Sequence, residues 1–186
     1  MTFRYYPGPK FETIHHYDSN NNDLIASNGS TIHAQIDDIR HKIHLPLPRW
    51  AKILSKIRLG RRFARLDKIN VILNHNRDGL VIVYRKGIYF YSLSKRILNL
   101  ANETKYARNP LHGGIAITPS GIYFGEYWAN EKRHPVPIWS SKDDGRTWNI
   151  VHELTASKIR HVHGIYKDPA NNNLWITTGD FQGECY

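Results

Sequence analysis

The sequence predicts an all-β protein: a row of small four-stranded antiparallel sheets, preceded by an N-terminal region with one short basic amphipathic helix. Three observations carry this. Between Ile69 and Leu100, four β-branched and aromatic runs are separated by short turns. The same order of strands and turns returns after His112, and begins again at His163. The helical spacing of apolar residues stands in one short stretch after Pro48.

Length and composition set the outer limits. The chain has 186 residues, enough for a real hydrophobic core. Hydrophobic residues make up 40% and charged residues 23%, as in ordinary globular chains. The apolar runs are too short for a transmembrane helix, and the start, Met1-Thr2-Phe3-Arg4-Tyr5-Tyr6-Pro7, lacks the apolar core of a signal peptide. Cys185 is the one cysteine, so no internal disulfide or multi-cysteine zinc site exists. Together these favour a cytoplasmic location. The formal charge is +10, and residues 51–100 hold twelve of the 26 basic side chains but two of the 16 acidic ones. The excess is therefore a local basic segment on a near-neutral protein.

Residues 1–68 are expected to form the N-terminal region. Its first 30 residues read as loosely ordered, with Asp18-Ser19-Asn20-Asn21-Asn22-Asp23 as a solvated loop. That run resembles the start of a calcium loop but lacks the glycine at its sixth position and an acid at its twelfth, Gly29. His15-His16 in a loop makes no metal site. Thr31 to Ile36 alternates as a short strand. A helix is expected over 48–59, opened by Pro48 and stopped by Gly60. Trp50, Ile53, Leu54 and Ile57 form one apolar face, which would dock on the domain. Arg49, Lys52, Lys56, Arg58, Arg61, Arg62, Arg65 and Lys68 surround it. Such a helix is either a solvated surface element, a subunit contact, or a weak signal for nucleic acid or an anionic membrane surface.

Residues 69–186 are expected to hold about two and a half repeats, over 69–101, 110–155 and an incomplete 161–186. His112-Gly113 matches His163-Gly164 at an offset of about 50 residues, the period of β-propeller blades built from four strands. A closed propeller of such blades needs at least roughly 200 residues. The chain therefore reads as a fragment of a larger propeller, inactive on its own, whose uncovered sheet edge would favour self-association.

One motif is specific. Ser141-Lys142-Asp143-Asp144-Gly145-Arg146-Thr147-Trp148 reads S-x-D-x-G-x-T-W between two strands. Asp143 is suited to accept turn amides, Gly145 to take a backbone angle closed to other residues, Thr147 to start the outer strand, and Trp148 to cover the hairpin. The segment matches the Asp box, or bacterial neuraminidase repeat, and the chain resembles the sialidase-like Asp-box propellers. The resemblance implies a structural role for Ser141, Asp143, Gly145, Thr147 and Trp148. It also implies a relation to glycoside hydrolases acting on glycans. The Arg-Ile-Pro motif of sialidases is absent, and a single strict Asp box is present.

Weak catalytic candidates are the residues that recur once per repeat: His112 and His163 at the starts of first strands, Glu126 and Asp180 at the ends of second strands. A histidine beside a carboxylate could transfer protons, and two carboxylates could flank a sugar. Residues recurring once per blade are more often hydrogen-bonded fasteners between blades, and metal ligation is the remaining alternative. No cofactor is implied. The competing functions are a glycan-directed enzyme, a non-catalytic propeller binding protein or polysaccharide, and an anion-binding protein working through residues 49–68.

Overall fold

The computed structural model describes residues 10–55, 57–63, 66, 68–106, 113–155, 159–171 and 173–179. The fold is all-β. Strands β1 (Thr13–Asp18), β2 (Asp23–Asn28), β3 (Thr31–Ile36) and β4 (Ile39–His44) form a first antiparallel meander. After the short helices α1 (Arg49–Leu54) and α2 (Arg58–Phe63), β5 (Ile69–Leu73), β6 (Gly79–Tyr84), β7 (Gly87–Ser92) and β8 (Ile97–Glu103) form a second. A third contains β9 (Ile115–Thr118), β10 (Gly121–Gly125), β11 (Val136–Ser141) and β12 (Asn149–Leu154). β13 (Val162–Lys167) and β14 (Leu174–Thr178) pair as the last sheet among the described residues.

Each sheet lies face to face with the next, and three apolar layers fill the spaces. Ile25, Ile32 and Ile43 of the first sheet meet Val71, Leu80, Ile82 and Tyr84 of the second. Val81, Val83 and Phe90 on the other face of that second sheet meet Phe124, Trp139 and Trp148 of the third. Ala116, Val136 and Ile138 then meet Val162 and Ile165 of the last. Successive residues of a strand point to opposite faces. A strand covered on both sides must therefore be apolar throughout, and every residue of β6 and β11 is buried. β8 and β12, at one side of their sheets, are largely exposed. β1 lies beside β5, and β9 beside β13, so first strands of neighbouring sheets are adjacent.

The antiparallel alternation gives the stack two rims. One carries the turns between first and second, and third and fourth, strands. The other carries the turns between second and third strands and the connections from sheet to sheet. On the first rim, Arg77 Nη2 donates to Asp23 Oδ2 and to Asp37 Oδ1, both at 2.8 Å, joining the second sheet to the first. Asp23 is fully buried, so this cation supplies the countercharge that burial demands.

The N-terminal region departs from expectation in several ways. Residues within the first 30 are ordered into β1 and β2, and His15 and His16 lie on a strand. The polar run after them is a hairpin turn: Asp18 accepts from the Asn20 amide at 2.9 Å and from Asn21 Nδ2 at 2.8 Å. The single helix expected over 48–59 is two, broken after Leu54. Pro48 does cap the first. Gly60, expected as a stop, lies inside α2, where an added Cβ would sit 2.6 Å from the Leu54 carbonyl oxygen. The expected docking face is also reversed. Ala51 is the buried residue of α1, while Trp50, Ile53 and Ile57 are exposed. Ala51, Leu45 and Leu66 anchor the segment, together with the ion pair of Arg61 with Glu12.

Candidate functional site

The Ser141–Trp148 segment is the β11–β12 turn on the first rim. Asp143 Oδ1 accepts from the amides of Arg146 (3.1 Å) and Thr147 (2.8 Å) and from Ser141 Oγ (2.8 Å). Its Oδ2 accepts from Thr147 Oγ1 at 2.6 Å. Ser141 Oγ in turn accepts the Gly145 amide at 2.8 Å, and Trp148 Nε1 donates to the Gly145 carbonyl at 3.0 Å. Burial pushes the Asp143 carboxyl up, but the hydrogen bonds from Thr147 and Ser141 outweigh it and hold the group below its ordinary value. Gly145 has φ +100, and Trp148 is buried against Phe124. Every polar group of the carboxylate thus serves the turn.

This turn also grips the sheet before it. Asp144 accepts the amides of His75 (3.0 Å) and Asn76 (2.8 Å) from the β5–β6 turn. Asn74 Nδ2 donates to the Asp144 carbonyl at 3.3 Å. Arg146 pairs with Asp78, whose carboxyl is held low, first by the Asn74 side chain and also by that guanidinium.

The opposite rim carries the candidate binding residues. Glu126 stands just past β10 and is fully buried. Its Oε1 accepts from the Lys105 amide and Trp139 Nε1, and its Oε2 from the Tyr106 amide, all at 2.7 Å. It ties the connection between the second and third sheets to the body of the third. Its carbonyl also accepts the Val162 amide at 3.1 Å, reaching the last sheet.

Beyond Glu126 the chain builds an aromatic and imidazole cluster. Tyr106 stacks on Trp128 (centroids 5.1 Å apart, 26°) and on His134 (6.0 Å, 15°). Tyr127 contacts His161 at 4.2 Å and His163 at 5.9 Å, and the two imidazoles stack at 5.0 Å. His163 is the extra residue of a β-bulge: Val162 faces Thr178 and Gly164 faces Thr177, leaving His163 unmatched. A bulge turns a side chain out of the regular alternation, and His163 Nε2 lies 3.0 Å from His161 Nε2. His161 Nδ1 lies 2.9 Å from the Trp128 carbonyl, which only accepts, so Nδ1 carries the proton. In the neutral pair, His163 Nε2–H then donates to His161 Nε2. Asn130 fixes the loop beneath: it donates to the carbonyls of His134 (2.9 Å) and Arg160 (2.7 Å) and accepts the His134 amide at 2.8 Å.

Of the four sequence candidates, Glu126 and His163 lie on this rim, and His112 and Asp180 fall outside the described residues. Composition and spacing passed over Tyr106, Tyr127, Trp128, His134 and His161. The visible signal was the aromatic and histidine enrichment of the β10–β11 connection and of the segments that join one sheet to the next. Among the described residues no three His, Cys, Asp or Glu side chains gather as a metal site. No helix among them is long and apolar enough to cross a membrane. No family model matches the chain, and no curated protein matches it.

Proposed function

We propose that this chain is part of an Asp-box β-propeller of the sialidase-like kind and that it binds glycans on the rim bearing Tyr106, Tyr127, Trp128, His134, His161 and His163. The observation that carries the reading is the stacking of Tyr106 with Trp128 and with His134 beside a pair of hydrogen-bonded histidines. Flat aromatic surfaces present apolar area to the C–H faces of sugar rings, and the nearby ring nitrogens supply directional polar contacts to hydroxyls. The consecutive four-stranded sheets and the Ser141–Trp148 turn support the propeller architecture.

Binding is favoured over hydrolysis because Glu126 has both oxygens occupied by amide and indole donors. Two carboxylates free to flank a glycosidic bond are what hydrolysis requires. Hydrolysis, with Asp180 as the acid the sequence offers, is the second reading, favoured by the His161–His163 hydrogen bond, along which a proton could pass.

The test is calorimetry of the full chain with sialyllactose and with a neutral cello-oligosaccharide, alongside turnover of aryl glycosides. Saturable binding weakened at least about tenfold by Trp128→Ala or Tyr106→Ala is expected. Absence of binding to either sugar overturns the glycan reading. Turnover abolished by Asp180→Asn but kept in Trp128→Ala replaces binding with hydrolysis.

A further inference from the structure

The helical connection between the first two sheets presents an unusual surface. Trp50, Ile53, Ile57, Leu59 and Phe63 are 53%, 70%, 62%, 78% and 89% exposed. They are all the large apolar side chains of the segment except Leu54, which is half-buried. The buried residues of the connection are instead Leu45, Ala51 and Leu66. Arg61 holds the underside, pairing with Glu12 and donating from Nη1 to the Ser55 carbonyl at 2.9 Å. The apolar fringe is therefore the outer surface of an element held by its buried residues and by Arg61.

Its charge is equally one-sided. Residues 49–63 contain no acidic side chain, and neither helix has an acid in its first turn. Arg49, Lys52 and Arg62 are exposed among the apolar residues. Lys86, on the neighbouring β6–β7 turn, is exposed too, and Arg85 of that turn lies 5.5 Å over the Trp50 ring. Exposed tryptophan, phenylalanine and isoleucine interleaved with arginine and lysine match a bilayer interface, where apolar side chains enter the acyl boundary and cations meet anionic headgroups. A protein partner would match the apolar part equally well. The uninterrupted positive charge and the exposure of apolar side chains on both short helices favour a lipid surface.

We infer that the α1–α2 segment docks this protein on an anionic lipid bilayer, with Trp50, Ile53, Ile57, Leu59 and Phe63 inserted and Arg49, Lys52, Arg62 and Lys86 on the headgroups. The mode is peripheral, since the segment is far too short to span. Each surface cation is worth roughly fivefold in affinity at such a membrane.

Flotation of the full chain with vesicles tests this, using phosphatidylcholine alone and phosphatidylcholine with phosphatidylglycerol. Binding to the anionic vesicles at least about tenfold tighter, and falling as salt rises from about 50 to 500 mM, is expected. The pair Ile53→Ser and Phe63→Ser should cut that binding by at least about tenfold without moving the thermal midpoint, because both side chains are exposed. The pair Lys52→Glu and Arg62→Glu should abolish the preference for phosphatidylglycerol. Equal binding to both vesicles, or none, overturns the inference. So does binding to duplex DNA as tight as to vesicles and indifferent to Ile53→Ser with Phe63→Ser, which would make the segment a polyanion contact. None of these outcomes depends on glycan binding.

Discussion

A Cβ added to Gly145 would lie 2.2 Å from Cγ2 of Val81, a residue of the neighbouring sheet. Glycine is thus required twice at this position, once for φ +100 and once for the close approach of β6. Gly145→Ala is expected to destabilise the fold by about 2–4 kcal/mol in chemical denaturation. Val81→Ala in the same chain should recover part of that loss, because it removes the clash and leaves the backbone strain.

Asp144 separates backbone from inter-sheet effects. Its φ is +62, where glycine is at ease and other residues are not. Asp144→Gly relieves the backbone yet discards two accepted amides from His75 and Asn76. A net loss of about 1–2 kcal/mol is expected. Unchanged or raised stability would mean that the grip between the sheets contributes nothing.

Glu126→Gln tests the fastener. Its two oxygens receive three N–H donors, and a glutamine must turn its own N–H2 toward at least one of them. A fall of about 2–4 kcal/mol in unfolding free energy is expected, read as a lower denaturant midpoint.

Stability should also decline on mild acidification. His41 is buried against the second sheet, with Nδ1 3.3 Å from Tyr91 Oη. Burial, then Arg96, pushes its pKa below 6.5, and burial with Lys42 and His44 does the same to His33. The unfolded chain binds these protons first. The contribution is therefore complete above about pH 6.5 and is lost as the pH falls from there through the folded-state values. The thermal midpoint should drop between about pH 7.5 and 5.5, and His41→Phe should flatten the slope.

The second and third sheets were legible because their strands are short, apolar and divided by Gly, Asn and Pro turns. Of the first sheet only β3, the alternating Thr31–Ile36 run, was legible. Its strands carry His15, His16, Asp23 and Asn28, polar residues whose partners stand elsewhere in the chain: Ser27 for His15, Arg77 for Asp23. The exposed side of the helical segment was misread for a related reason. The apolar periodicity of Trp50, Ile53 and Ile57 pointed to the core, but Ala51, too small to weigh in such a pattern, makes the contact. Glu126 was open to two readings, catalytic acid or fastener between blades, because the amides that occupy it belong to residues 105 and 106, far from it in sequence. The turn at Asp143 was readable because all its partners lie within four residues.

The burial of β6 on both faces has a bearing on biosynthesis. β6 has no water-facing side, so as the second sheet leaves the ribosome this strand must lean on the first sheet while its other surface waits, sticky and bare, for residues 115–154 to be made. Nascent chains arrested in that interval are the form in which this protein is most prone to clump and most in need of a chaperone.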